Sequence, residues 1–160
     1  MDASRPITDD EFARWLEAEI PEYAADKVAN GQWSQDSALE LARKDFTDLL
    51  PQGPSTEGQH VYTVLDASGL AVGTLWFGVQ DRGGQRIAYV YDIVVAPEHR
   101  RRGHAENAFK ALEKEAARLG LAGIALHVFG HNLAAQALYA KLGFVPTNIN
   151  LFKPLPAKVA

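Results

Sequence analysis

The sequence contains no cysteine, and this absence excludes several kinds of chemistry. Without thiols the chain forms no disulfide, has no thiol nucleophile and offers no cysteine-based metal site. The absence is compatible with a reducing compartment, where disulfides are rare. Any catalytic group must therefore come from other residue types.

Long apolar runs and a positive charge balance are also missing. No stretch approaches the roughly 20 residues of a membrane-spanning helix, and the polar start Met1–Pro6 lacks the features of a signal peptide. We therefore expect a cytoplasmic protein with no membrane partner. The formal net charge of −4 argues against broad binding of nucleic acid.

The 160 residues have the composition of one soluble globular domain, since 47% are hydrophobic and 22% are charged. Helical spacing of apolar residues predicts helices over residues 8–29 and 34–50. Thr8 and Glu11 form a capping-box pattern at the start of the first helix. Pro21 should kink that helix or divide it in two.

Alternating apolar residues and turn signals predict a short first strand at 5–7 and three further strands over 60–65, 70–79 and 86–95. There follow a helix from about Arg101 to Leu119, a strand over 123–128, a helix over 132–142 and a last extended segment, Phe144–Lys153. This order predicts an α/β fold in which a mixed antiparallel and parallel sheet carries helices on both faces.

The segment Tyr89–Ala105 reads as a strand, a tight loop and a helix start. The loop carries four basic residues, Arg100, Arg101, Arg102 and His104. The positive end of a helix dipole disfavours cations. An anion held by the free N–H groups and Gly103 would relieve the conflict. The alternative is a solvated basic turn without a ligand.

Two motifs resemble the GNAT superfamily of acyl-CoA-dependent N-acyltransferases. Arg100–Ala105 is similar to the family's Gln/Arg-x-x-Gly-x-Gly/Ala motif, with Ala105 in the last position. Asn132–Phe144 is similar to its Asn-x-x-Ala-x-x-x-Tyr-x-x-x-Gly-Phe block. Their order and spacing also match. The resemblance covers Arg86–Phe152 well, whereas the N-terminal helices match only in position.

The resemblance implies one N-acetyltransferase domain over residues 1–160, with a GNAT-like mixed sheet of about six to seven strands. Residues 1–58 would be a variable helical part on the acceptor side, and residues 59–153 the acetyl-CoA-binding core. The residues expected to bind acetyl-CoA are Ile93, Val94, Val95, Arg100, Arg101, Arg102, Gly103, His104, Ala105 and Asn132.

The resemblance also implies which part of acetyl-CoA each of these residues would contact. The pyrophosphate would lie on the loop and helix start, with Arg102 in a variable position that could face solvent. The pantetheine arm would pair with Ile93–Val95 as an added strand and contact Asn132. The Val95 N–H would stabilise the tetrahedral oxyanion.

The resemblance makes Tyr139 the general acid. Asn132 and Tyr139 are seven residues apart, so two helical turns place them on one face, about 10 Å apart along the axis. A tyrosine pKa near 10 keeps the phenol protonated at neutral pH. The alternatives are a packed aromatic at 139 and a simple N-cap at 132.

The general base is left open by the sequence. Asp92 is the leading candidate, because a carboxylate in an apolar strand should have a raised pKa. His127 and a chain of waters are the alternatives, and the loop residues Glu98 and Glu57 have weaker claims. The acceptor would be a primary amine of a small molecule or a peptide.

No metal site is expected. His99 and His104 are badly spaced for one helical face, and His127 and His131 run from a strand into a turn. No Gly-x-Ser-x-Gly elbow is present, and the family's chemistry is direct attack in a ternary complex. Homodimers are common in the family. The alternative function is a non-catalytic acyl-CoA-binding or regulatory module on the same fold.

Overall fold

One five-stranded sheet organises residues 3–157, the part of the chain that the computed structural model describes. The strands, in their spatial order, are β1 (Ser4–Pro6), β2 (Gln59–Leu65), β3 (Ala71–Arg82), β4 (Gln85–Val95) and β5 (Ile124–Leu126). The helices are α1 (Asp9–Ala29), α2 (Gln35–Leu49), α3 (His104–Arg118) and α4 (Leu133–Lys141). β1 to β4 pair antiparallel, and β4 pairs parallel with β5. The predicted mixed α/β fold is confirmed.

The predicted sixth and seventh strands are not found within residues 3–157, because the segment after α4 has no strand partner. Phe144 packs against Phe109 of α3. Beyond it, Val145, Ile149 and Phe152 are all exposed. Apolar residues in Phe144–Lys153 suggested a strand, but a strand also requires a sheet edge to which it can bond.

The first helix is continuous through Pro21, so the predicted division into two pieces is wrong. The capping box is confirmed: the Thr8 hydroxyl accepts from the Glu11 N–H, and the Glu11 carboxylate accepts from the Thr8 N–H at 3.0 Å. Pro21 lies on the exposed side of the helix. The carbonyl of Glu17, which loses its helical donor, belongs to a residue that is also exposed.

Helix α3 begins at His104 rather than at Arg101. Arg101 has a φ of 62° and Gly103 a φ of 81°, both in the left-handed region. These conformations do not continue a right-handed helix, so the loop extends three residues further than the pattern suggested. A non-glycine residue held in this region is uncommon and occurs often at functional sites.

Helices pack on both faces of the sheet. On one face, Phe109 and Leu112 of α3 bury against Leu75 and Phe77 of β3. On the other face, α1 and α2 pack through an aromatic cluster of Trp15, Phe46 and Trp76. The ring centroids of Trp15 and Trp76 are 5.5 Å apart. This second cluster attaches the N-terminal helices to the strand pair that carries the site.

Strands β4 and β5 pair over only three positions, the last being Val90 with Leu126. The register between β3 and β4 shifts between Trp76 and Phe77, which leaves Tyr91 as an extra residue. Because the Ala96 N–H bonds to the Val72 carbonyl, the alternation of antiparallel pairs turns the Val95 N–H away from β3. The end of β4 therefore offers a free edge where the two strands separate.

Candidate active site

Two neighbouring clefts lie along the free end of β4. The smaller has a volume of about 210 Å³ and lies over the basic loop and the start of α3. It is lined by Val95, Arg100, Arg101, Gly103, His104 and Ala105, among others. These six residues are all among those predicted from the sequence. Arg102 is exposed and lines neither cleft.

The start of α3 has free donors facing this smaller cleft. Gly103 is the N-cap and provides no side-chain acceptor. The first backbone N–H of α3 to find a helical partner is that of Asn107, which bonds to the Gly103 carbonyl. The N–H groups of the preceding turn remain available to a ligand. Arg100 is held beside them because its Nε donates to the Val95 carbonyl at 2.8 Å.

One carboxylate, that of Glu106, also borders the smaller cleft. It forms ion pairs with Lys141 of α4 at 3.1 Å and with Lys110 at 3.4 Å. These lysines lower the pKa of Glu106 and balance its charge. The positive character of the basic loop is therefore preserved, and α3 is connected to α4.

The larger cleft has a volume of about 510 Å³ and lies between the separated strands and helices α1 and α2. Its lining includes four of the predicted residues, Asp92, Ile93, Asn132 and Tyr139. Val94, next to Ile93, faces the opposite side and packs with the aromatic cluster. The same alternation that turns the Val95 N–H away from β3 directs the backbone groups of Val94 towards Thr74, so they do not face the free edge of β4.

Asp92 is held at the inner end of the larger cleft. Its Oδ2 accepts a hydrogen bond from Trp15 Nε1 at 3.0 Å. Its carboxyl group also contacts the carboxyl of Glu19 and accepts from the backbone N–H of Ile93. Burial raises the pKa of Asp92 despite these donors. A carboxylate with a raised pKa is suited to accepting a proton near neutral pH.

Tyr139 projects from α4 into the same cleft. Its ring packs edge-on against Phe109 and Phe144, with centroids 5.6 Å and 5.7 Å away. Burial, and secondarily the negative charge of Asp92, raises the pKa of Tyr139 to about 12. The phenol therefore stays protonated throughout the neutral range. Both interpretations of Tyr139, a packed aromatic and a proton donor, are compatible with this position.

Asn132 and His127 also line the larger cleft. Asn132 is the N-cap of α4, since its Oδ1 accepts from the Ala135 N–H at 3.2 Å. His127 packs edge-on against Phe129, and burial, with Lys27 nearby, lowers its pKa. The other predicted candidates for the base, Glu57 and Glu98, are exposed and line neither cleft.

Several carboxylates that line the larger cleft form hydrogen bonds or ion pairs with neighbouring side chains. Asp26 of α1 lies 3.1 Å from His131 Nε2. Asp45 of α2 accepts from the Tyr23 hydroxyl at 3.1 Å. Lys27 also lines this cleft. It lies over the Tyr23 ring, with its Nζ 5.5 Å from the ring centroid. Negative charge therefore predominates around the opening.

Glu19 and Trp15 are site residues that the sequence did not assign. Glu19 belongs to an acidic stretch of α1 of the kind that usually forms a solvated face, whereas the structure places it in the cleft against Asp92. A signal was present: Glu19 is the charged residue on a helical stripe otherwise formed by Phe12, Trp15, Leu16 and Ile20. A charge on an apolar stripe indicates a buried partner.

Residues 3–157 contain neither a cluster of metal ligands nor a membrane-spanning helix. No group of three or more histidine, aspartate or glutamate residues there is arranged to hold a metal ion. No helix in that part of the chain is long and apolar enough to cross a membrane.

A family model described as Acetyltransferase (GNAT) family matches residues 13–144. The chain belongs to the GNAT acetyltransferase family. This GNAT chain is 34% identical to YycN of Bacillus subtilis (strain 168), an uncharacterized N-acetyltransferase, over 94% of its own length and 96% of that protein. YdgE of the same organism, also named an uncharacterized N-acetyltransferase, is 28% identical over 93% and 95%.

Solved structures agree with the GNAT assignment. The crystal structure of YycN superposes with a TM-score of 0.90 at 33% identity, covering 96% of this chain and 98% of that one. A mutant of the BH1408 protein from Bacillus halodurans shares the fold, with a TM-score of 0.74 at 17% identity over 96% and 99%. The GNAT chain is accordingly an acetyltransferase.

Proposed function

We propose that the protein transfers an acetyl group from acetyl-CoA to a primary amine, by direct attack within a ternary complex. The observation that carries this proposal is the arrangement along β4. The smaller cleft, with its basic side chains and free N–H groups, lies at one end of the free edge of β4. The larger cleft, which contains Asp92 and Tyr139, lies at the other end.

The smaller cleft suits the pyrophosphate of acetyl-CoA. Arg100, Arg101 and His104 provide positive charge, and the first turn of α3 provides backbone donors. The free edge at Ile93–Val95 suits an extended chain with amide groups, which would add to the sheet as a strand does. Acetyl-CoA supplies the acetyl group as an activated thioester.

Three groups of this chain would act on the reacting atoms. The Asp92 carboxylate takes a proton from the acceptor's ammonium group, which leaves a neutral amine. The Val95 N–H, turned away from β3, donates to the oxygen that becomes negative during the transfer. As the C–N bond forms and the C–S bond breaks, the Tyr139 hydroxyl gives its proton to the departing sulfur and is reprotonated by the second proton that the nitrogen loses. Asn132 would contact the pantetheine arm.

The acceptor would be an amine that is protonated in solution, from a small molecule or a peptide. The larger cleft is lined by the carboxylates Glu22, Asp26, Asp45 and Asp92. Such a lining attracts an ammonium group and raises its concentration at the site.

A calorimetric titration with acetyl-CoA is the first test, and we expect saturable binding at ligand concentrations below the millimolar range. The second is acetyl transfer to a panel of polyamines, amino acids and peptides, followed by the release of free thiol. No binding at millimolar acetyl-CoA would refute the proposal. Binding without transfer to any amine would instead indicate an acyl-CoA-binding module.

A further inference from the structure

Glu19 occupies a place in the cleft for which the proposed reaction gives it no role. It lies on α1, four residues after Trp15, so the two side chains project from the same face of the helix. Both contact Asp92, one through the indole N–H at 3.0 Å and the other through its carboxyl group. One face of α1 therefore holds Asp92 at two points.

We propose that Glu19 is a positioning residue for Asp92: in its protonated form it donates a hydrogen bond to the Asp92 carboxylate and keeps that carboxylate ionised. This inference rests on the proposed function, which makes Asp92 the proton acceptor. Glu19 lies on α1, one of the N-terminal helices that match the GNAT family only in position.

Two carboxyl groups that contact each other in a half-buried site repel a second negative charge, so the pair keeps one proton at neutral pH. The surroundings place that proton on Glu19. Asp92 accepts from Trp15 and from the backbone N–H of Ile93, and both donors favour its charged form. Burial raises the pKa of Glu19, and the negative charges of Asp92, Glu22 and Asp26 raise it further.

Other charged or titratable groups face the pair from the surrounding elements. They are Glu22, Asp26 and Lys27 from α1, Asp45 from α2, His127 after β5, and Tyr139 from α4, together with the tyrosines of α1 and β4. Three are carboxylates that disfavour a second negative charge beside them. His127 is neutral near pH 7, because burial lowers its pKa. This environment favours one negative charge on the pair rather than two.

The proton balance is simple. An N–H bond of the acceptor's ammonium breaks, and its proton passes to the Asp92 carboxylate. Glu19 keeps its own proton, so it neither gains nor loses charge during the step.

Glutamine has the same shape and also donates a hydrogen bond. Glu19→Gln should therefore preserve the function, whereas Glu19→Leu removes the donor while it keeps the site filled.

The test is a pH titration of the Asp92 side-chain carboxyl by ¹³C NMR of the labelled protein, with the signal assigned by its loss in Asp92→Asn. In Glu19→Leu we expect the Asp92 pKa to rise by about one unit, since a donor to the charged form is lost. In Glu19→Gln it should remain close to the wild-type value. Glu17→Leu, an exposed position two residues away on the same helix, is the matched control.

Two NMR results would overturn the proposal. One is an Asp92 pKa that does not rise in Glu19→Leu. The other is a Glu19 carboxyl that is already ionised in the wild type at pH 7. If Glu19→Leu does not fold, the wild-type titration of Glu19 and the behaviour of Glu19→Gln still decide the matter.

A kinetic measurement separates this inference from the proposed function. The probe is acetyl transfer from acetyl-CoA to spermidine, with kcat/KM followed from acid to alkaline pH. In Glu19→Leu the acid limb of the profile should move with the Asp92 pKa and lower kcat/KM about tenfold on that limb. If the NMR pKa rises but the limb stays, Glu19 does keep the Asp92 carboxylate ionised, but Asp92 is not the proton acceptor, and only the proposed mechanism fails.

Discussion

At the scale of single residues, the site depends on a few polar groups within apolar surroundings. Tyr139 is enclosed by Phe109 and Phe144 and still reaches the cleft that contains Asp92. The raised pKa keeps the phenol protonated throughout the neutral range, so the hydroxyl is present in the form that the proposed proton donor requires.

The variant Tyr139→Phe isolates this role. It removes one oxygen and preserves the ring packing, so the proposal predicts that kcat falls about 10²–10⁴-fold while the Kd for acetyl-CoA changes little. Stopped-flow turnover and calorimetry measure the two quantities. A Kd that rises as steeply as kcat falls would show that Tyr139 has a structural role. Phe144→Leu, which changes the same packing without removing a hydroxyl, is the control.

At the scale of elements, α1 is positioned by its first turn. Glu11 completes the capping box, and its carboxylate also accepts from Arg5 at 2.7 Å and from the Thr63 hydroxyl at 3.0 Å. These bonds tie the start of the helix to β1 and β2. Because α1 carries Trp15 and Glu19, the same contacts determine how the helix presents them to Asp92.

The capping contact predicts a pH-dependent contribution to stability. The hydrogen bond from Arg5 is the main cause that lowers the pKa of Glu11 to about 2. A carboxylate with a depressed pKa stabilises the fold above its unfolded pKa of about 4.3, and this contribution is lost as pH falls towards 2. Arg5 is exposed, so solvent screens part of the attraction, and we expect roughly 1–2 kcal/mol.

Urea denaturation of the wild type and Glu11→Gln at several pH values measures this contribution. The difference in unfolding free energy should be full at pH 6 and shrink between about pH 4.5 and pH 2. Asp10→Asn, an exposed neighbour in the same first turn, is the control. A difference that does not change with pH would show that the ionised form of Glu11 makes no special contribution.

Several elements were predictable because their signals are local. The capping box at Thr8, the N-cap at Asn132 and the three-stranded meander all follow from side chains close in sequence. The start of α3 was misplaced because the left-handed backbone at Arg101 leaves no mark in composition. The apolar stripe of α1 indicates that Glu19 has a partner, but it does not identify that partner, because Asp92 lies on a strand distant in the sequence.

At the scale of the whole molecule, charge is separated between the two clefts. The chain carries a net charge of −4, yet the cleft at the start of α3 is lined by Arg100, Arg101 and His104. The charged side chains that line the larger cleft are mainly carboxylates. Opposite potentials therefore lie at the two ends of the free edge of β4, one suited to an anion and the other to a cation.

This separation predicts how salt affects binding. Acetyl-CoA should bind several-fold more weakly when NaCl rises from about 50 to 500 mM, because the Debye length shortens to a few ångströms. Arg101→Gln should reduce both the affinity and its salt dependence. Arg102→Gln, at an exposed position outside both clefts, should alter neither. Equal effects of the two substitutions would show that only the general charge of the loop matters.

The hydrogen bond from Trp15 to Asp92 joins residues 77 positions apart in the sequence. Closing a loop of that length costs conformational entropy, and contacts between distant segments slow the folding of a chain. During synthesis, α1 leaves the ribosome long before β4 has been made. The aromatic residues of α1 therefore cannot form their contacts with that strand until later. The indole of Trp15 should consequently reach its native environment only at a late step of folding, at which the chain also becomes competent for proton transfer.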